Sequence, residues 1–440
     1  MESLNKSSLQ DTVSLSKSLH DVLIELQQRP YPHVPNPPSC KKRASVALIL
    51  RVRPTYDHWP TDPPSSQNHS LSNRQKLDNF FSQTWVQHGD PEALFIKRAS
   101  RVGDRWTGHV ALPGGRRDPE DLDDKAAAIR EASEEVGFDL STDDCVFIGN
   151  LPERVVTTSF GAVPLMVLCP FVFLWTRSDS PTLKLQPTEV ASTHWVSLRT
   201  LLSPSSRTAE YVDLTERYIK GAGYLARLAV RSVMGFMRFS AIKLTPTESL
   251  CCSSIPEFFP SDYKVQHLQS SFQQWSTWCS GNANRPLLLW GLTLGILADF
   301  LDMLPPHTAV QLWEYPTFTV PDLRLIVNIL TYRLRKRNTL QVTSGARLNN
   351  TAVDGQTAAI TAPEAEYSNN ENNQVGIGGL GVGRYYRGSE KDGEQSSYAV
   401  GIMLRGYYER VRVAIYVFLG WRVALGTVAG AYAWKLLRRR

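Results

Sequence analysis

The sequence predicts an α/β fold in which strands and helices alternate from residue 44 to residue 304. Three observations carry that prediction. Residues 45–52 (SVALILRV) are a short, nearly unbroken apolar run, as expected of a strand buried on both faces. Residues 120–136 are rich in helix formers and stop at Gly137, a natural helix terminator. Further strand-like runs then follow. The 440 residues allow two or three units at ~100–200 residues each, and a hydrophobic share of 42% excludes a wholly disordered chain.

In chain order, Leu9, Val13, Leu19, Val22, Leu23 and Leu26 recur at helical spacing, which predicts an amphipathic helix over residues 1–28. It either docks on the body or binds a separate partner. Five prolines between Pro30 and Pro38 make a linker, so residues 1–43 form an N-terminal extension. Residues 53–75 read as an exposed loop, and Ala93–Ile96 resumes strand character. Cys145–Leu151, Val163–Leu168 and Phe171–Trp175 read as strands, the last two separated by Pro170. Helices are expected at 120–136, 212–235 and 288–303, and residues 200–284 read as a large insertion. A C-terminal extension (305–337) ends in an apolar-then-basic helix, Leu323–Arg337. Residues 338–404, rich in Asn, Gly, Ser and Thr, read as a disordered linker. An apolar helix occupies 405–440.

The charge balance is 48 Lys+Arg against 42 Asp+Glu. Eight of the basic residues lie at or after Arg405, against Glu409 alone, so the remainder holds 40 basic and 41 acidic residues. The near-neutral body gives no case for nucleic-acid binding, and no nucleic-acid partner is expected. The six cysteines include no CxxC pair, and no secretory signal opens the chain; reduced thiols facing the cytosol are expected.

The chemistry concentrates in Leu112–Phe138 (LPGGRRDPEDLDDKAAAIREASEEVGF). Pro113-Gly114-Gly115 makes a tight turn that lets a ligand approach the backbone. Asp118-Pro119 reads as a helix start. Glu131, Glu134 and Glu135 stand at i, i+3 and i+4, on one helical face. Three carboxylates there repel one another unless a cation joins them, and hard divalent ions take oxygen ligands. Arg130 reaches Glu134 at i+4. Ala127, Ala128, Ile129, Ala132 and Val136 form the face that packs on a sheet. A solvated acidic face is the plain alternative.

This stretch resembles a Nudix box: Gly115, an acidic loop, then Arg130, Glu131, Ala132, Glu134, Glu135, Gly137 and Phe138. The loop is one residue longer than the general pattern, with Leu122 and Arg116 in the upstream Glu and Gly slots. The longer form, Gly114-Gly115 with Asp118 and Asp121, is similar to the coenzyme A diphosphatase branch. That branch also has an upstream Arg-Ser and Gly-Glu-Val; here Arg98-Ala99 and Gly108-His109-Val110 stand instead. Gly149–Val163, Glu189-Val190 with Trp195–Leu198, and Leu289-Trp290-Gly291-Leu292-Thr293 extend the resemblance over about 44–304.

The resemblance implies a Nudix-type α/β/α sandwich with a mixed sheet. It implies Mg²⁺- or Mn²⁺-dependent hydrolysis of a nucleoside diphosphate linked to another group, coenzyme A or an acyl derivative first. Another diphosphate, or a non-catalytic membrane-tethered binding module, is the alternative. On this reading Glu131, Glu134 and Glu135 are metal ligands, and Arg130 orients them. Glu134, Glu135 or an outside carboxylate such as Glu189 is the base. Gly114 and Gly115 shape the diphosphate loop. Arg98 contacts the substrate or pairs structurally, and His109 titrates near neutrality or is structural. Asp118 and Asp121 cap the helix and order the loop, or contact the metal through water. In the insertion, Tyr218, Lys220, Tyr224, Arg227, Arg231 and Arg238 grip an acidic nucleotide, lie on an anionic membrane, or form an ordinary surface helix.

Val413–Trp434 is 22 residues with one charge, Arg422. At about 1.5 Å per residue it matches a ~30 Å hydrocarbon core. A tail anchor with the catalytic domain facing the cytosol is expected; a packed helix on a soluble cytoplasmic protein is the alternative.

Overall fold

The computed structural model describes residues 2–38, 40–60, 71–99, 107–157, 163–213, 224–252, 286–305, 314–350, 403–404 and 406–439. The helices are α1 (Glu2–Gln28), α2 (Asn73–Ser82), α3 (Thr84–Gln87), α4 (Asp124–Val136), α5 (Leu198–Leu202), α6 (Tyr224–Met234), α7 (Gly291–Asp302), α8 (Pro321–Asn350) and α9 (Tyr407–Leu437). The strands are β1 (Arg43–Arg53), β2 (Asp90–Arg98), β3 (Val110–Ala111), β4 (Gly114–Arg116), β5 (Cys145–Asn150), β6 (Arg154–Thr157), β7 (Pro164–Trp175), β8 (Val190–Ser197), β9 (Arg207–Val212), β10 (Met237–Lys243), β11 (Glu248–Cys251), β12 (Leu288–Trp290) and β13 (Thr317–Phe318). Two compact units result. The first is Met1–Val155, Met166–Thr208 and Ala241–Leu297; the second is Val156–Leu165, Ala209–Ser240 and Ala298–Arg440.

The first unit is built on a mixed sheet in the order β11-β8-β2-β1-β7-β5, with β3 on β2 and β4 on β1. β1 runs parallel to β7 and antiparallel to β2 and β4. Its apolar run is buried on both faces because both are covered. Ala47 and Ile49, with Leu94, Ile96 and Phe173, pack against Ala128, Ala132 and Val136 of α4. α1 joins the unit through the buried Leu19, Leu23 and Leu26, each contributing roughly 1.5–3 kcal/mol. The Leu26 carbonyl lies against Gly149 of β5, where a Cβ would meet it at 3.0 Å. The result is the α/β/α arrangement with a mixed sheet.

Several boundaries differ from expectation. Leu288–Trp290, expected to open a helix, is β12, and of the helix expected at 212–235 Tyr224–Met234 is helical among the described residues. The runs either side of Pro170 form one strand, β7. Pro170 sits just past the last β5 pair, Asn150 with Phe171, where the strand gives its carbonyl to the Leu151 N–H (2.9 Å) and needs no donor. α4 starts at Asp124 rather than at Asp118-Pro119. α8 runs on from Arg337 to Asn350, into the stretch read as linker, and the buried Asn338 amide holds the extension by donating to the Met403 carbonyl (3.0 Å). Tyr218, Lys220, residues 253–284 and residues 351–402 lie outside the described residues.

The second unit has its own core: Met234, Met237, Phe318, Leu323, Val327, Tyr407, Val411 and Phe418. α8 and α9 run antiparallel. Asn338 meets Met403 at one end, and Arg422 pairs with Asp322 (2.8 Å) at the other. Among the described residues α9 is the helix long and apolar enough to cross a membrane.

Candidate active site

The Gly-Gly turn is fixed from two sides. Gly114 has φ +149°, and a Cβ there would lie 2.2 Å from the Ser45 carbonyl of β1. At Gly115 a Cβ would lie 2.4 Å from Oε1 of Glu131. One glycine is required by backbone and the other by a carboxylate. Beyond the turn, Asp123 caps α4, accepting the Ala126 N–H at 2.7 Å. The acidic loop before it is occupied elsewhere. Asp121 accepts the Asp118 N–H (2.8 Å) and both Nε (3.0 Å) and Nη2 (3.1 Å) of Arg130. That fork holds the Asp121 carboxyl below its usual range. The same guanidinium donates to the Arg116 carbonyl (2.9 Å), pairs with Glu131 (3.1 Å) and donates to Glu134 (2.9 Å). Arg130 therefore ties loop to helix and orients two of the glutamates.

Glu131, Glu135 and Glu189 bring carboxylate oxygens within 4.8 Å of one another. Glu135 is only 2% exposed, and its Oε2 accepts the Gly114 N–H at 2.8 Å. Burial pushes its pKa up to about 8; that backbone N–H and Arg98 oppose the rise, while Glu131 and Glu189 add to it. Burial also raises Glu131 against the pull of Arg130. Burial and mutual repulsion thus both oppose the ionised forms of Glu131 and Glu135. An oxygen-only, partly buried donor set of this kind fits a hard divalent cation. Glu189 is delivered by backbone bonds: its carbonyl accepts the Ala99 N–H (2.8 Å), and the preceding loop is zipped to the end of α4. There Lys184 N–H donates to Val136 (2.8 Å) and Gln186 N–H to Glu135 (2.9 Å). Gly137, at φ +67°, makes room for Lys184.

Of the residues singled out in the sequence, Glu131, Glu135, Gly114, Gly115 and Arg130 come together here. Glu134 does not join the three carboxylates; it is exposed and ion-paired with Arg130. Arg98 lies close enough for its charge to act on Glu135. The carbonyl of His109 accepts the Arg98 N–H (3.0 Å), and its ring stands 4.8 Å from that of Trp290. Asp118 is a weak partner of Arg130 at 3.6 Å. Sequence reasoning missed two supports. One is the Asp123 cap. The other is the buried Arg43, which donates to Asp124 (2.7 Å), Glu153 (2.7 Å) and the Val34 carbonyl (3.0 Å), anchoring the start of α4 and the Pro-rich segment. Its signal was a charge at the head of an apolar strand.

The NUDIX domain family matches residues 85–218. The uncharacterized protein C14C4.10c of Schizosaccharomyces pombe is 32% identical over 309 residues, covering 68% of this chain and 78% of that one. The mouse peroxisomal coenzyme A diphosphatase NUDT7 is 52% identical over 45 residues, 10% of this chain and 19% of the relative. A solved Ap4A hydrolase of C. elegans is 15% identical, with 37% of this chain and 83% of that chain covered and a TM-score of 0.22. The chain belongs to the Nudix family.

Proposed function

We propose that the chain is a divalent-metal-dependent hydrolase of coenzyme A or acyl-coenzyme A, releasing a 3′,5′-ADP-type and a phosphopantetheine-type product. The observation that carries this is the partly buried Glu131–Glu135–Glu189 cluster behind the Gly114-Gly115 turn. The loop pattern with Asp118 and Asp121, and the short similarity to a coenzyme A diphosphatase, support the substrate. Glu131, Glu135 and Glu189 would hold Mg²⁺ or Mn²⁺, with Glu134 in a lesser role at the rim. A bound ion supplies charge neutralisation for the diphosphate and acidity for water. The chain does the rest. Gly115 keeps the turn free of side chain beside Glu131, and Arg130 fixes loop and helix. Glu189, more open than Glu135, takes the proton of the attacking water. Arg98 adds positive charge on the substrate side.

Incubating the full chain with Mg²⁺ and coenzyme A, acyl-coenzyme A, NADH, ADP-ribose and oxidised dGTP tests this, with products identified by mass spectrometry. Selective cleavage of the coenzyme A species is expected; selective cleavage of another diphosphate overturns the substrate. That second reading is favoured by Ala99 and His109, which stand where the branch has Ser and Glu. A Glu135→Gln variant with full turnover would refute the metal site.

We infer further that α9 anchors the chain to a membrane with the catalytic unit facing the cytosol. Its length and apolar composition support this. The chain is expected to stay with membranes through carbonate extraction, and quantitative release rules the anchor out.

A further inference from the structure

The anchoring helix is not free over its whole length. Val411, Ala414, Ile415 and Phe418 of α9 are buried in the core of the second unit. Every residue from Leu419 to Arg439 is exposed. Beyond Arg422, whose guanidinium is held by Asp322 at the start of α8, the projecting piece is Val423–Leu437. Those fifteen residues rise about 22 Å, short of a ~30 Å hydrocarbon core. An apolar segment of full length must therefore include the part of α9 that is packed on α8, and the outer surface of α8 goes with it.

That surface suits lipid. Leu325, Ile329 and Tyr332, at i, i+4 and i+7, are each at least 60% exposed. The antiparallel register set by Asp322–Arg422 and Asn338–Met403 puts Leu325 level with the turn of Val417, and Ile329 level with that of Val413. Val413, Tyr416 and Val417 are themselves large, exposed apolar groups. The charged groups along this stretch have local partners. Arg422 is paired with Asp322, and Arg324 donates to the Phe318 (3.2 Å) and Thr319 (3.3 Å) carbonyls. Apart from Arg324 and Arg422, the exposed basic side chains of this pair of helices gather at the ends: Arg333, Lys336, Arg337 and Arg410 on one side, Lys435, Arg438 and Arg439 on the other. Basic residues flanking an apolar belt match anionic headgroups.

We propose that α8 and α9 meet a lipid bilayer as one body, the outer face of α8 supplying a second apolar contact beside the projecting end of α9. The proposal rests on the anchor reading and adds α8 to it. The test is co-flotation of the full chain with vesicles of phosphatidylcholine and phosphatidylserine. Three variants are compared with wild type: Leu325→Asp/Ile329→Asp, the milder Ile329→Ser, and a truncation after Arg422. Diphosphate hydrolysis without vesicles, which these residues do not touch, reports that each variant is folded.

Wild type is expected to float. The double variant should lose at least about tenfold in bound fraction, since charges in the apolar belt are costly, and Ile329→Ser should lose less. The truncated chain should retain weak binding that the double substitution then removes. Wild-type flotation by both active α8 variants overturns the role of α8 and leaves the anchor standing. Failure of wild type itself to float overturns the anchor and this proposal together. Unchanged flotation with loss of a dimer in sedimentation shows that the face receives a second copy of the chain, and also overturns it.

Discussion

Adding one methyl group at Gly114 and at Gly115 should have opposite consequences. At Gly115 the obstacle is the far end of the flexible Glu131 side chain, which can swing away. Gly115→Ala should therefore melt within a few degrees of wild type yet lose about 10²-fold in turnover, because a ligand oxygen is displaced. At Gly114 the obstacle is backbone, the Ser45 carbonyl, in a conformation that L-residues avoid. Gly114→Ala should cost about 1–3 kcal/mol or more in denaturant unfolding. A buried histidine sets a pH limit. His194 lies between the Ser192 and Ser249 hydroxyls, each 2.8 Å away, and burial lowers its pKa to about 4. The unfolded chain then binds the extra proton first, so stability is lost as the pH falls from about 6.5 toward 4. The loss is at most about 3 kcal/mol. A His194→Gln variant should flatten that acid limb in urea titrations; an unchanged limb assigns it to other groups.

In α4 much of the site is legible from the sequence alone. Its glutamates, its Gly137 stop and its sheet-facing alanines were readable because helical spacing alone puts them on common faces. Its start was misplaced. Asp118, Asp121, Asp123 and Asp124 are all competent caps in sequence, and Arg130 decides among them by taking Asp121. Glu189 was readable only as a candidate, since sheet register and the loop bonds at Lys184 and Gln186 bring it across from another part of the chain. The Arg43 network was illegible, because its partners come from separate segments of the chain. Two measurements follow. Asp123→Ala should cost about 1 kcal/mol of stability while the site keeps its metal affinity. Arg43→Met should cost several times more, about 3–5 kcal/mol, since among the described residues it leaves the buried Asp124 with only the longer Arg117 ion pair and the buried Glu153 with only His33 as an ion-pair partner.

On the scale of the chain, two cores with separate membership predict two calorimetric transitions. Mg²⁺ should raise only the transition of the first unit, which holds the carboxylates, by about 2.7 kcal/mol at a hundredfold excess over its Kd. A single transition, or a shift of both, would contradict that division. The alternation of strands and helices, and the apolar end of the chain, were evident in the sequence because each is a local pattern. The division of a continuous chain into units that interleave residues from 156–165, 209–240 and 298–440 was not, since it depends on which distant segments share a core.

The zip between Lys184, Gln186 and the end of α4 makes the chain unevenly tolerant of insertions. Lengthening the chain within Tyr56–His58, where no residue is buried, leaves this zip untouched. A single residue added between Gln186 and Val190 cannot be absorbed locally. It must either break the bonds to Val136 and Glu135 or slip β8 by one place, turning Trp195 from the core and withdrawing Glu189. Changes in the spacing from Gln186 to Val190 should therefore accompany loss of hydrolysis even where all three glutamates are kept.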